Sequence, residues 1–139
     1  LMDGLKSYKS MKEKLRNLLE KYKKTVDYLE VRFEENESLN IRFFGKSLDN
    51  LNETKSLGGY VRACYKGAWV FCSFNDLENL ETYFIEATKQ AKVLGQESSE
   101  KTFLADVKPQ EKICPITLSG KDPRKLSLDY KVDLFNHYN

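Results

Sequence analysis

The stretch 60–74 constrains the fold most, because it has the pattern of a β-hairpin closed by a two-residue turn. The turn is predicted at Lys66 and Gly67, where glycine adopts the positive φ of a tight turn without strain. If Tyr65 pairs with Ala68, successive side chains alternate between the two faces of the ribbon. One face then carries Val61, Ala63, Tyr65, Ala68, Val70, Cys72 and Phe74, and the other carries Tyr60, Arg62, Cys64, Trp69, Phe71 and Ser73.

Both faces of this hairpin are rich in apolar side chains, which is unusual for a sheet with one solvated side. The second face has an aromatic patch, defined here as Tyr60, Trp69 and Phe71 together with the charge of Arg62. Such patches are typical of interfaces, so these four residues are our interface or cleft candidates. In the alternative interpretation, the irregular segment 103–126 covers the patch as ordinary core.

The rest of the sequence predicts an α+β fold. An amphipathic helix is predicted at 5–24, where apolar residues recur at three- and four-residue steps, and the period then changes to two. Four to five antiparallel strands are predicted as a meander, with turns at 35–37, Gly45-Lys46 and Gly58-Gly59. Gly58, in the last of these turns, and Gly67, in the hairpin turn, are the predicted framework residues.

A second helix is predicted from an N-cap at Asn75 to Gly95. An extended arm follows, and a last helix is predicted to start at Asp122 or Ser127. At 139 residues the length suits one domain over 1–139, with its core at 5–95 and the arm and terminal helix at 96–139.

The composition is that of a soluble, intracellular protein. Apolar residues make up 40% of the chain and charged residues 32%, and no apolar run approaches the roughly 20 residues needed to span a bilayer. No signal peptide pattern is visible. The three cysteines, Cys64, Cys72 and Cys114, are odd in number and have no C-x-x-C spacing. These features favour a reducing compartment, and we expect a cytoplasmic location without membrane contact.

The positive charge is concentrated in the first helix. Residues 3–24 carry eight Lys or Arg against three acids. This face could contact phosphates or an acidic partner, which would make the chain a nucleic-acid-binding module. Solvated surface is the simpler interpretation, and nucleic acid is not the partner that we expect.

The sequence offers no set of residues for catalysis. A catalytic zinc needs about three protein ligands, and the chain has a single histidine, His137. Cys64 and Cys72 lack a neighbouring histidine pattern and are interpreted as structural. The acidic run 34–37 is interpreted as solvated. We therefore predict no catalytic residue, no metal ligand and no cofactor in this chain.

Three segments stand in a recognisable order: GGYVR at 58–62, GAWVF at 67–71 and DPRKLSLDYK at 122–131. They resemble G-x-G-x-R, G-x-W-G-F and D-P-R-x-x-S-x-x-x-K in the N-terminal domain of the TldD/PmbA family, over residues of about 26–138. Tyr60 and Val70 depart from this pattern, because each stands where the family has glycine. The matching hairpin positions, as framework or interface residues, are Gly58, Arg62, Gly67, Trp69 and Phe71.

The resemblance implies part of a zinc-dependent metallopeptidase, or of an inactive partner of one. It implies zinc held by an H-E-x-x-x-H motif in a C-terminal catalytic domain of the same protein. It also implies a homo- or heterodimer that encloses a cleft for unfolded peptide substrates. The older family label, modulator of DNA gyrase, implies a regulatory link. Whether the parent is an active enzyme stays open, as does the alternative of a free-standing protein-interaction module.

Overall fold

The computed structural model describes residues 2–99, 104–108, 110–112, 114 and 120–138. For residues 2–9 it describes the backbone alone. Its helices and strands are α1 (Met2–Tyr22), β1 (Tyr28–Phe44), β2 (Ser47–Tyr65), β3 (Ala68–Phe74), α2 (Leu80–Glu97) and α3 (Leu128–Tyr138). Short 3-10 helices occupy Lys23–Thr25 and Pro123–Lys125. The predicted α+β class, with an antiparallel sheet between helices and a helix at the C-terminal side, is confirmed.

The sheet has three strands in the order β1-β2-β3, fewer than the four to five predicted. The predicted turn at 35–37 is wrong, because these residues lie inside β1. Phe33 and Leu39 are six positions apart, which is an even step, so an unbroken strand keeps both on one face and needs no turn between them. The predicted turn at Gly45 is confirmed; its φ is +57°, and it joins β1 to β2.

The hairpin of β2 and β3 has the predicted register. Tyr65 pairs with Ala68. Lys66 and Gly67 form the turn with φ angles of +48° and +88°. Two consecutive residues with positive φ give the turn type whose twist matches that of the flanking strands. The assignment of side chains to the two faces therefore holds as predicted.

The core lies on the face of the sheet that carries Val61 and Ala63, both fully buried. Helix α2 contributes Leu80 and Phe84, which are also fully buried, and burial of each such side chain stabilises the fold by about 1.5–3 kcal/mol. Helix α1 contributes Leu15. The predicted apolar stripe of α1 also includes positions 5 and 8, whose side chains lie outside the described residues.

Helix α2 starts and ends later than predicted. Its N-cap is Asn79 rather than Asn75. Gly95, which was predicted to end the helix, is buried inside it. A Cβ atom at Gly95 would overlap the backbone carbonyl oxygen of Tyr65. Glycine is therefore found here because the helix approaches the hairpin closely, and not because the helix stops.

The described chain divides into two compact units. The first comprises 1–36 and 55–105, and it contains the core just described. The second comprises 37–54 and 106–139. Within the second unit the rings of Phe43 and Phe135 stack, with their centroids 6.4 Å apart. The organisation of 1–139 as a single domain stays a prediction.

Asp122 and Ser127, the two predicted starts of the last helix, each cap a helix, but not the same one. The Asp122 carboxylate accepts a hydrogen bond from the Arg124 backbone N–H at 3.0 Å and caps the 3-10 helix. The Ser127 hydroxyl accepts one from the Tyr130 backbone N–H at 3.2 Å, at the start of α3. The extended arm predicted at 103–126 is irregular at 104–108, 110–112 and 114. Residues 103, 109, 113 and 115–119 of this arm lie outside the described residues.

Candidate interface on the outer face of the hairpin

The aromatic patch lies on the face of the sheet opposite the core. The register that buries Val61 and Ala63 turns Tyr60 and Arg62 of β2 to the outer face. Arg62 is paired with Phe71 of β3 across the strands, so the charge and the ring are neighbours on that face. The structure thus brings the four candidate residues together, as the sequence predicted from the hairpin register.

The guanidinium of Arg62 is surrounded by aromatic rings. Its Cζ atom lies 4.9 Å from the ring centroid of Trp69, 5.4 Å from that of Phe71 and 5.7 Å from that of Tyr28. The faces of aromatic rings attract cations at these distances. The Nε atom of Arg62 is buried and has no hydrogen-bond partner among the described residues. The rings therefore hold the arginine as part of the patch.

Arg62 is also fixed by Glu30 on the neighbouring strand β1. Arg62 Nη2 donates a hydrogen bond to Glu30 Oε2 at 2.8 Å. The Tyr28 hydroxyl donates to the same oxygen atom at 2.5 Å. Tyr28 also packs edge-on against Trp69, with 5.6 Å between ring centroids. Glu30 and Tyr28 consequently connect β1 to the hairpin through its charged centre.

Sequence reasoning missed Tyr28 and Glu30. A signal was present, because the alternation that places Leu29 and Val31 on the core face necessarily places positions 28 and 30 on the outer face. What the sequence did not supply was the pairing between β1 and β2, which sets Glu30 beside Arg62.

The electrostatics of this cluster follow from its hydrogen bonds. Burial alone would raise the pKa of the Glu30 carboxyl, but the hydrogen bonds from Tyr28 and Arg62 outweigh burial and hold that pKa below its usual value. The hydrogen bond to Glu30 raises the pKa of Tyr28 and, likewise, the pKa of Arg62. Glu30 and Arg62 are therefore a charged, mutually neutralised pair at neutral pH.

Phe71 is the exposed member of the patch. Its side chain is 60% exposed, whereas Tyr60, Arg62 and Trp69 are half-buried. The ring of Tyr60 lies 5.7 Å from that of Phe71, measured between centroids. The described part of the chain thus leaves Phe71 open to a partner. The interface or cleft role of the four residues stays a prediction.

The strand that carries Phe71 lies at the edge of the described sheet, since β3 pairs only with β2. In a hairpin with a two-residue turn, the pair next to the turn exchanges hydrogen bonds and the following pair does not, in strict alternation. Tyr65 and Ala68 form the first kind of pair, and Cys64 and Trp69 the second.

A hydrogen bond on the other side of β2 supports this alternation. The carbonyl of Cys64 accepts from the backbone N–H of Asp27 at 2.9 Å, so it points away from β3. By the same alternation, the backbone N–H and C=O groups of Trp69, Phe71 and Ser73 point to the outer edge of β3. Among the described residues, no backbone group from outside the sheet forms a hydrogen bond with these outward N–H and C=O groups.

The two framework glycines have different roles. Gly67 lies in the hairpin turn, as described above. The prediction that Gly58 and Gly59 form a turn is wrong, because both lie inside β2 and Gly59 pairs with Phe74. A Cβ atom at Gly59 would lie 2.7 Å from Cζ of Phe74 and would overlap the carbonyl oxygen of Arg32. These glycines allow close packing within the sheet rather than a reversal of the chain.

The basic side chains described on α1 are engaged by neighbouring groups. Lys14 donates to the carbonyl of Leu77 at 3.0 Å. Lys21 contacts the Glu81 carboxylate at 2.6 Å. Lys23, in the 3-10 helix that follows α1, contacts Glu20, also at 2.6 Å. These contacts favour the interpretation of α1 as ordinary solvated surface, and the side chains of Lys6 and Lys9 lie outside the described residues.

The described residues do not fit a zinc centre. Among them, no group of three or more His, Cys, Asp and Glu side chains is arranged to hold a metal ion. His137 packs edge-on against Tyr138, with 5.7 Å between the ring centroids. In the part of the chain that the structure describes, no helix is long and apolar enough to cross a membrane.

The region around the patch matches a known family. Residues 29–91 match the family model described as PmbA/TldA metallopeptidase domain 1. The chain belongs to the PmbA/TldD metallopeptidase family. This confirms the resemblance found in the sequence, and the matching model is that of the first domain of the family. The matched range contains Glu30 and the whole aromatic patch.

A similar protein is the metalloprotease slr0863 of Synechocystis sp. (strain ATCC 27184 / PCC 6803 / Kazusa). It is 35% identical to this chain over 130 residues, which is 94% of the chain. The chain spans 27% of the length of that relative. No solved structure gives a significant match to the chain.

Proposed function

We propose that this chain, as the N-terminal domain of a metallopeptidase, uses the aromatic patch and the open edge of β3 to shape a peptide-binding cleft and to assemble a dimer. The observation that carries the proposal is the exposure of Phe71, 60%, beside an arginine whose charge is paired with Glu30. An exposed ring in a fixed setting is typical of binding surfaces.

The edge of β3 suits a substrate without a fixed sequence. An extended peptide that adds as a further strand would pair with the outward backbone groups of Trp69, Phe71 and Ser73. Main-chain hydrogen bonds of this kind do not depend on the side chains of the peptide. They would therefore bind many unfolded peptides alike.

Catalysis belongs, in this proposal, to another part of the parent protein. The chain spans 27% of the metalloprotease that it resembles, which leaves ample length there for a C-terminal catalytic domain with its own zinc ligands. The free thiols of Cys64, Cys72 and Cys114 support a cytoplasmic location, since thiols stay reduced there.

The test replaces rings of the aromatic patch in the full-length protein. Phe71→Ala and Trp69→Ala should each weaken peptide cleavage or dimer assembly, measured by hydrolysis of an unstructured peptide and by sedimentation. Phe44→Ala is the matched control, because Phe44 is 83% exposed and lies outside the patch. Cleavage and assembly that are unchanged in both patch variants would refute the proposal.

A further inference from the structure

We propose that the aromatic patch selects an uncharged, apolar side chain in the bound strand, at the position opposite Phe71. This inference rests on the peptide-binding role proposed above and adds a side-chain preference to it. The preference follows from two features of the described residues: the direction of the Phe71 backbone and the neutralised charge of Arg62.

The first feature sets the position of the selected side chain. Because the backbone groups of Phe71 point to the open edge, a strand added there in antiparallel direction would form a hydrogen-bonded pair at Phe71. Side chains of directly opposed residues lie on the same face of a sheet, with Cβ atoms about 5 Å apart. The opposed side chain of the peptide would therefore lie beside the exposed ring of Phe71, on the outer face.

The second feature sets its chemistry. Arg62 lies 5.4 Å from the centre of the Phe71 ring, and its charge is already paired with Glu30. A basic peptide side chain would meet the like charge of Arg62, and an acidic one would meet Glu30 without a free counter-charge. Either would also lose hydration against the ring. An apolar side chain meets none of these costs and buries the ring of Phe71.

Trp69 makes this preference measurable, because it is the single tryptophan of the chain and lies within the patch. The probes are three blocked peptides in which serine alternates with one other residue, either Val, Asp or Lys. Alternation places all the variable side chains on one face of an added strand. Titration of the 139-residue chain, followed by Trp69 fluorescence, gives the dissociation constant of each peptide.

The valine peptide should bind at least about tenfold more tightly than the other two, as the burial of one apolar side chain allows. The order should be the same at low and high salt, because the Glu30–Arg62 pair leaves the patch itself without net charge. Phe71→Ala should reduce this preference to about twofold or less, whereas Phe44→Ala should leave it intact.

The outcomes separate the two proposals. Equal affinity for all three peptides would overturn the side-chain preference and leave edge binding standing. Tighter binding of the aspartate or lysine peptide would do the same. If none of the three peptides binds, the proposed function and the preference are both overturned. A preference that persists in Phe71→Ala would place the selection elsewhere and overturn this inference.

Discussion

Glu30 on β1 and Arg62 on β2 form a sheltered ion pair at the centre of the outer face. Their side chains are 25% and 32% exposed. By comparison, the pair of Arg42 with Asp49 has side chains that are 67% and 42% exposed. The first pair also receives the Tyr28 hydroxyl, so it joins three strands and three rings into one cluster. Removing its charge should therefore affect stability more than removing the charge of the exposed pair.

We predict that Glu30→Gln lowers the free energy of unfolding by about 1 kcal/mol, because a hydrogen bond to a charged group contributes about 1.5–3 kcal/mol and one to a neutral group about 1 kcal/mol. Glutamine keeps the shape of the side chain and loses only its charge. Urea unfolding at neutral pH measures the change.

Asp49→Asn is the matched control, because it makes the same chemical change in the exposed pair. It should shift the free energy of unfolding by less than about 0.5 kcal/mol, as exposed ion pairs contribute little. An equal loss in both variants would contradict the special role of the Glu30–Arg62 pair.

The contribution of the Glu30 charge should depend on pH. Although burial acts in the opposite direction, hydrogen bonds from Tyr28 and Arg62 lower the pKa of Glu30 in the folded state below its ordinary value. A lowered carboxyl pKa stabilises the fold above the ordinary pKa, and this stabilisation is lost as the pH falls through the folded-state pKa.

Wild type and Glu30→Gln should therefore differ in unfolding free energy by a constant amount between about pH 7 and pH 5.5, and the difference should shrink below about pH 4. Urea unfolding of both proteins across this range measures it. A difference that grows as the pH falls would show that the sign assigned to this pKa shift is wrong.

The sequence specified the hairpin well because its register depends on local chemistry. Gly67 permits the tight turn, and once Tyr65 faces Ala68 every later pair follows. The partnership of Glu30 with Arg62 has no such local origin. It depends on the pairing of two strands of 17 and 19 residues whose turn, at Gly45, is distant from both side chains.

The glycines show the same limit of local reasoning. The sequence predicts a turn at Gly58 and Gly59 and a helix end at Gly95, because glycine most often marks such positions. In the structure they lie inside a strand or a helix, where the missing side chain makes room for Phe74 or for the backbone of Tyr65. Only tertiary packing distinguishes a glycine that ends an element from one that lets another element approach.

That distinction predicts the sign of a substitution at Gly95. Helix propensity alone would make Gly95→Ala stabilising by about 1 kcal/mol. The added Cβ atom would overlap the carbonyl of Tyr65, however, and overpacking of this kind costs about 1–3 kcal/mol or more. We therefore expect a net loss of stability, measured as a lower urea midpoint.

Gln96→Ala, at the exposed neighbouring position of α2, serves as the control and should change stability by less than about 0.5 kcal/mol. A Gly95→Ala protein as stable as wild type would mean that the helix moves away from the hairpin without cost.

The three thiols should react in an order set by their burial. Cys114 is exposed, Cys72 is half-buried and Cys64 is buried in the hairpin. Burial also raises the pKa of the Cys64 and Cys72 thiols, which lowers the fraction of reactive thiolate. With a chromogenic disulfide reagent at mildly alkaline pH, we expect one fast equivalent, a slower second one, and the third only when the protein unfolds. Cys114→Ser should abolish the fast phase. If Cys64→Ser abolished it instead, the hairpin would open readily and its outer face would not be a fixed surface.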